Sequence, residues 1–134
     1  MAADAAASSG AATGAADIVS TMHSPDHDMV LILDFGSQYS HIIVRRVRAW
    51  RLLRAAFLPL PPSILSKGRI RGLILSGGPF SVYEDGAPHL ADGFLEAAEA
   101  AKIPILGVCY GFQELVHRMG GKVEAAPQAR VRTR

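Results

Sequence analysis

One cysteine stands in a setting that suits nucleophilic chemistry. Cys109 is the centre of a G-x-C-x-G pattern, Gly107-Val108-Cys109-Tyr110-Gly111, between an apolar run and a helical pattern. This is the thiol counterpart of the nucleophile elbow, in which glycines allow a tight turn that exposes the reactive atom at a strand end. The N-terminus of the following helix favours the thiolate, the reactive form. A small buried side chain is the alternative for any cysteine, but the two glycines favour the nucleophile.

An acyl-transfer elbow also needs hydrogen-bond donors for the oxygen of a tetrahedral intermediate. The N–H of Tyr110 is one candidate. The backbone of Gly77 and Gly78 is the other, because no side chain there blocks the approach. The same glycine pair lacks both the Lys-Ser/Thr of a P-loop and a G-x-G-x-x-G pattern, so a nucleotide site is not favoured.

Hydrophobic periodicity predicts the elements that position these groups. Continuous apolar runs predict strands, and apolar residues at helical spacing predict helices. The predicted strands are 30–33, 55–60, 72–75 and 103–108, and the predicted helices are 39–50, 89–101 and 110–119, with a helical turn at 61–65. Strands that alternate with helices favour a doubly wound, mainly parallel α/β sheet of the flavodoxin-like kind.

Several local features refine that prediction. The run 30–33 is apolar throughout, which is typical of a strand buried on both faces. Pro59 predicts an edge strand, and Ser37 is a candidate cap for the first helix. Ligands of such sheets bind at the carboxyl ends of the strands. We therefore expect the turns 34–38, 76–79 and 109–111 to converge on the site.

Composition bounds the remaining possibilities. The chain has 134 residues, 49% of them hydrophobic and 19% charged, with a net charge of +2, which suits one modest domain. No apolar run is long enough for a membrane span, and a single cysteine excludes an internal disulfide and a Cys-rich zinc site. We predict a disordered Ala-rich tail at 1–28, a partial domain at 29–124 and an irregular basic tail at 125–134. The first segment lacks the features of a targeting peptide, so a cytoplasmic location is expected.

Charged and histidine-containing clusters are interpreted as solvated surface. Five arginines within 45–54 suit the outer face of an amphipathic helix better than a nucleic-acid surface. The carboxylate pairs Glu84/Asp85 and Glu96/Glu99 are likewise placed on the surface, and His23 and His27 in the tail. We predict no metal site, no nucleic-acid partner and no membrane partner.

Three separated segments resemble the class I (triad-type) glutamine amidotransferases. They are Leu31-Ile32-Leu33-Asp34-Phe35-Gly36-Ser37-Gln38-Tyr39, Ile74-Leu75-Ser76-Gly77-Gly78-Pro79 with Ser81-Val82-Tyr83, and Gly107-Val108-Cys109-Tyr110-Gly111-Phe112-Gln113. They occur in the family's order between about Met29 and Glu124. The D-F-G-S-Q-Y stretch and the tyrosine after the cysteine favour the GMP synthase branch over the anthranilate, carbamoyl-phosphate and CTP synthase branches.

The resemblance implies glutamine hydrolysis through a glutamyl thioester on Cys109. Gly78 and Tyr110 match the family's oxyanion-hole positions, while Gly77 and Gln113 match substrate-binding positions. The ammonia released would aminate XMP to GMP on an ATP-pyrophosphatase synthetase domain, downstream in the same chain or a separate subunit. ATP and Mg²⁺ belong to that domain, so no cofactor is expected in this segment. The resemblance leaves a homodimer of the complete protein open.

The chain departs from the family pattern after the nucleophile, because it contains no His-x-Glu segment to supply the catalytic His and its partner Glu. His41, His89 and His117 are not expected to substitute. We therefore expect a truncated fragment, poorly active or inactive alone, whose incomplete sheet leaves its last strand unpaired. Two alternatives stay open: a catalytically inactive amidotransferase-like binding module, and a cysteine hydrolase or redox-sensing protein of similar topology.

Overall fold

A computed structural model describes residues 28–48, 54–57, 60–66 and 69–125. The predictions for residues 1–27, 126–134, Trp50 and Pro59 lie outside the described residues. Four strands, three α-helices and one 3₁₀ turn are present in the described part. In chain order they are β1 (Met29–Asp34), α1 (Ser40–Arg48), β2 (Arg54–Phe57), the 3₁₀ turn (Pro62–Ser66), β3 (Ile70–Leu75), α2 (Phe94–Ala100), β4 (Ile105–Gly107) and α3 (Tyr110–Arg118).

The four strands form one parallel sheet in the order β2-β1-β3-β4. The chain moves from β1 to β2 in one direction, then passes to the other side of β1 and continues to β4. With right-handed crossovers, this order places the α1 and α2 connections on opposite faces of the sheet. The predicted doubly wound α/β fold is confirmed, and its strand order reverses between β1 and β3. Ligands of such sheets bind at that point of reversal.

The central strand β1 is buried on both faces, as its apolar run predicts. Leu31, Ile32 and Leu33 are at most 1% exposed. The main core includes Leu33, Leu75 and Phe94.

Within the described sheet β2 is an outer strand, as predicted. The opposite outer strand, β4, pairs only with β3 among the described residues and leaves Leu106 58% exposed.

The second helix is shorter than its sequence pattern predicts. It starts at Phe94 rather than near residue 89, after Gly93 in a left-handed conformation at φ +78°. The left-handed Gly93 interrupts the helical backbone, and before it the N–H of Leu90 donates to the carboxylate of Glu114. The expected inward side chains are confirmed: Phe94 and Ala98 are buried, and Leu95 packs against the core.

Helix α1 begins at Ser40, and its apolar side chains are only partly covered. Ile42 is exposed, as is Tyr39 just before the helix, whereas Ile43 and Val47 are half-buried. Arg45 and Arg46 are exposed, as predicted for a solvated face, and so are both acidic pairs (Glu84, Asp85, Glu96 and Glu99). No helix in the described ranges has the length and apolar character to cross a membrane.

Candidate functional site

The three turns that leave β1, β3 and β4 converge, as predicted, on one cavity of about 500 Å³. The cavity lies at the carboxyl ends of the strands, next to the reversal between β1 and β3. Its lining is mostly apolar and contains the only cysteine of the chain. The lining residues are Gly36, Ser37, Gln38, Tyr39, Ile43, Gly77, Gly78, Pro79, Val108 and Cys109.

Cys109 itself makes the sharp turn at the end of β4. Its φ of +54° and ψ of −113° are unusual for a residue with a side chain, and they place the exposed thiol at the start of α3. Strain of this kind costs about 1–3 kcal/mol and persists only where the surroundings enforce it. Neither Gly107 nor Gly111 has a positive φ, so the left-handed conformation of the turn belongs to Cys109 itself.

The flanking glycines allow the tight turn because they leave room for the backbone on its other side and for the neighbouring strand. A Cβ on Gly107 would lie 2.7 Å from Cα of Phe112, and a Cβ on Gly111 would overlap the carbonyl oxygen of Leu75. The N–H of Gly111 donates to the carbonyl of Ser76 at 3.0 Å, so the first turn of α3 is joined directly to the end of β3. The two glycines thus let α3 approach the sheet closely enough to enforce the conformation of Cys109.

The predicted glycine pair lies beside the thiol. A Cβ on Gly77 would be 3.4 Å from Cβ of Cys109 and 3.5 Å from Oγ of Ser37. Gly78 packs against the backbone of Phe35, where a Cβ would lie 2.5 Å from the carbonyl oxygen. Gly77 therefore keeps space open at the thiol, and Gly78 allows the turns after β1 and β3 to touch.

The candidate oxyanion donors have free N–H groups as far as the structure describes the chain. The N–H groups of Gly78 and Tyr110 donate to none of the described residues. The phenol of Tyr110 points elsewhere, because its ring packs on Phe35 and its hydroxyl donates to the carbonyl of Pro88 at 2.6 Å. The half-buried Gln113 lies one turn into α3, and its side chain is not part of the cavity lining.

A polar network behind the cavity fixes the turn after β1. One carboxylate oxygen of Asp34 accepts hydrogen bonds from the N–H groups of Gly36 and Ser37 at 2.8 and 3.1 Å. The buried hydroxyl of Ser76 joins the network by donating to Asp34 and accepting from the N–H of Phe35. The prediction that Ser37 caps α1 is wrong: the helix begins three residues later, at Ser40, and the hydroxyl of Ser37 accepts from the N–H of Tyr39 in a turn before it.

Most side chains of the lining were not assigned to the site from sequence. Ser37, Gln38 and Pro79 lie in turns whose convergence was predicted, so position relative to the strand ends was the available signal. Ile43 has no such signal, because an apolar residue on a helix is ordinarily interpreted as core. Its place in the lining follows from how α1 packs beside the sheet.

None of the described histidines lines the Cys109 cavity. His41 is exposed on α1, His89 pairs with Glu114, and the ring of His117 packs edge-on against Tyr83 at 5.3 Å. The prediction that these three do not serve the thiol is in accord with this arrangement. Within the described ranges, no three His, Cys, Asp or Glu side chains come together as a metal-binding group.

Comparison with known proteins identifies the family to which the chain belongs. Residues 31–133 match the model of the glutamine amidotransferase class-I family. Curated relatives include the GMP synthase [glutamine-hydrolyzing] of Emericella nidulans, 47% identical over 77% of this chain and 19% of the relative. Those of Aspergillus fumigatus and Bacillus velezensis are each 43% identical, over 80% and 76% of this chain. The chain thus spans about a fifth of the length of the relatives it matches.

Proposed function

Because this chain belongs to the class-I glutamine amidotransferase family, we propose that it forms the nucleophile-bearing part of the glutamine-hydrolysing site of a GMP synthase. The observation that carries the proposal is the conformation of Cys109, an exposed thiol held at φ +54° at the edge of a cavity between three strand ends. A strained, exposed cysteine at a helix N-terminus is the arrangement expected of a nucleophile.

In the proposed reaction, Sγ of Cys109 attacks the side-chain amide carbon of glutamine. The carbonyl π electrons move to oxygen and give a tetrahedral oxyanion, which then collapses, breaks the C–N bond and releases ammonia after the nitrogen gains a proton. The product is a glutamyl thioester on Cys109. A water molecule attacks this thioester, and cleavage of the C–S bond yields glutamate and the free thiol.

We assign the oxyanion to the N–H groups of Gly78 and Tyr110, the two candidate donors that are free among the described residues. A backbone donor aimed at developing charge accelerates acyl transfer by roughly 10²–10³-fold. Gly77 is assigned to the substrate-binding surface because it borders the thiol. Gln113 keeps its assignment as a glutamine-contacting residue from the family resemblance.

Proton transfer is the step that this part of the chain supports least. No described histidine lines the cavity, and the sequence contains no His-x-Glu segment. A positioned general base contributes about 10²–10⁴-fold to such reactions. We therefore expect the 134-residue chain to form a covalent adduct with a reactive glutamine analogue but to hydrolyse glutamine slowly.

The ammonia is proposed to aminate XMP to GMP on an ATP-pyrophosphatase synthetase domain. This part of the proposal follows the family resemblance; the relatives' names give only GMP synthesis and glutamine hydrolysis, and the chain covers about a fifth of their length. ATP and Mg²⁺ are assigned to that domain, as the family resemblance implies. The cytoplasmic location and the homodimer stay predictions from sequence.

A chloroketone analogue of glutamine tests the glutaminase proposal directly. It places an electrophilic carbon where the amide nitrogen would be, and Cys109 is the only cysteine that it can alkylate. We expect saturable labelling by mass spectrometry, slowed by free glutamine and absent from Cys109→Ala. Iodoacetamide, which carries no glutamine side chain, serves as the reference reagent.

The outcomes separate the functions that the sequence left open. Labelling that is not saturable and not slowed by glutamine would refute the glutamine-hydrolysing site and favour another thiol chemistry. Saturable labelling with no detectable ammonia from glutamine would show a substrate-binding elbow without turnover in the isolated chain.

A further inference from the structure

Helix α3 presents three side chains at four-residue spacing to one loop. Tyr110, Glu114 and Arg118 share a face of the helix, because residues four apart lie one above the other. All three bind the segment 88–92, which connects the turn after β3 to α2. The nucleophile stands immediately before the first of these residues, at the N-terminus of the same helix.

The contacts follow the same order along α3 and along the segment 88–92. The hydroxyl of Tyr110 donates to the carbonyl of Pro88 at 2.6 Å. The carboxylate of Glu114 accepts from Nδ1 of His89 at 2.8 Å and from the N–H of Leu90 at 2.9 Å. Arg118 donates to the carboxylate of Glu114 and, through the other side of its guanidinium, to the carbonyl of Leu90 and the carboxylate of Asp92.

Glu114 is the centre of this arrangement. Its side chain is completely buried, whereas those of His89, Arg118 and Asp92 are at least partly exposed. An ionised carboxylate can only accept, so the proton of a neutral His89 lies on Nδ1. Burial by itself would raise the pKa of Glu114, but the hydrogen bonds from His89, Leu90 and Arg118 outweigh burial and hold the pKa below its usual value. Glu114 is thus a fully partnered, ionised group.

An adjacent side of α3 rests on the sheet with no spare room. Gly111 packs on the carbonyl of Leu75, where even a methyl group would overlap. The first turn of α3 is therefore held by two partners at once, β3 through Gly111 and the segment 88–92 through Tyr110 and Glu114. Any movement of the helix relative to the segment 88–92 would have to break the contacts made by Tyr110 and Glu114.

We propose that Glu114 is a positioning residue for the nucleophile elbow: by fastening the segment 88–92 to α3, it holds the Cys109 thiol and the Tyr110 N–H in register with Gly78. Glu114 does not line the cavity and acts through the backbone of its helix. This inference rests on the proposed glutaminase function. Misplacement of reacting groups by about 1 Å, even from a distant substitution, can reduce a rate about 10²-fold.

The test compares two reagents on the same thiol. The glutamine chloroketone depends on the alignment of thiol and oxyanion donors, whereas iodoacetamide reports only the reactivity of the thiol. For Glu114→Ala we expect the maximal chloroketone labelling rate to fall about tenfold or more, with the half-saturating concentration and the iodoacetamide rate nearly unchanged. Glu114→Gln keeps the volume and one acceptor oxygen, so we expect it to recover part of the rate.

Glu99→Gln, an exposed carboxylate on α2, is the matched control and should label like the unchanged chain. If Glu114→Ala fails to fold, His89→Ala removes one partner from a more exposed position, and the same selective loss is expected from it. Equal losses with both reagents, or no loss in a folded variant, would overturn the positioning role. Failure of the unchanged chain to label saturably would instead refute the glutaminase function itself.

Discussion

The Cβ position of Gly77 lies 3.4 Å from the Cβ of Cys109, so the turn after β3 and the nucleophile elbow meet at these two residues. A glycine here leaves the thiol open to the cavity on the side of Gly78, where the oxyanion is proposed to form. The size of residue 77 therefore governs how much of the cavity a substrate can use.

Substitution of Gly77 should block the site without unfolding the protein. A Cβ would make ordinary van der Waals contacts with Cys109 and Ser37, so Gly77→Ala is expected to fold normally. The branches of Gly77→Val would occupy the space beside the thiol, and we expect alkylation of Cys109 to fall about tenfold. The measurement is the labelling rate by mass spectrometry. Gly72→Ala, whose Cβ would have neighbours at 3.9 Å, controls for a methyl group far from the site.

Gly111→Ala should be strongly destabilising, although alanine is ordinarily the better helix former by about 1 kcal/mol. Its Cβ would overlap the carbonyl of Leu75, and backbone atoms have little freedom to move aside. We expect the free energy of unfolding in urea to fall by about 2 kcal/mol or more. A neutral or stabilising effect would contradict the close packing of α3 on β3.

Release of strain at the elbow can be measured by comparing two variants that both lack the thiol. Glycine adopts the φ of +54° and ψ of −113° of residue 109 far more easily than alanine. Because the thiol is exposed, its removal should change stability little in either variant. We expect Cys109→Gly to unfold at higher urea concentration than Cys109→Ala, by about 1 kcal/mol. The reverse order would show that residue 109 is not strained.

The phenol of Tyr110 should ionise only at high pH. Burial, aided by the nearby Glu114 carboxylate and opposed by Arg118, raises its pKa from 10.0 to about 12. A group whose folded pKa is raised stabilises the fold fully below its unfolded pKa, and that contribution disappears as pH rises through the folded value. Ultraviolet titration of phenolate should therefore show a step near pH 12 that is missing in Tyr110→Phe. Ionisation of all tyrosines together below pH 10 would contradict the buried hydrogen bond to Pro88.

Local patterns in the sequence determined the architecture and the place of the site. Apolar runs identify strands because a strand buried on both faces needs apolar side chains at successive positions. Alternation with helices then gives a parallel sheet, and the carboxyl ends of its strands gather the turns that hold Gly77, Gly78 and Cys109. The elbow is equally local, since strand, cysteine and helix are adjacent in the chain.

The tertiary structure decided which contacts those residues make and which conformation Cys109 adopts. The glycines beside Cys109 suit a tight turn, but the left-handed conformation belongs to Cys109 itself, and the contact of Gly111 with Leu75 is defined only when α3 meets the sheet. The burial of Glu114 has the same origin. Its carboxylate bonds to residues more than twenty positions away, and periodicity along the chain carries no information about partners so distant in sequence.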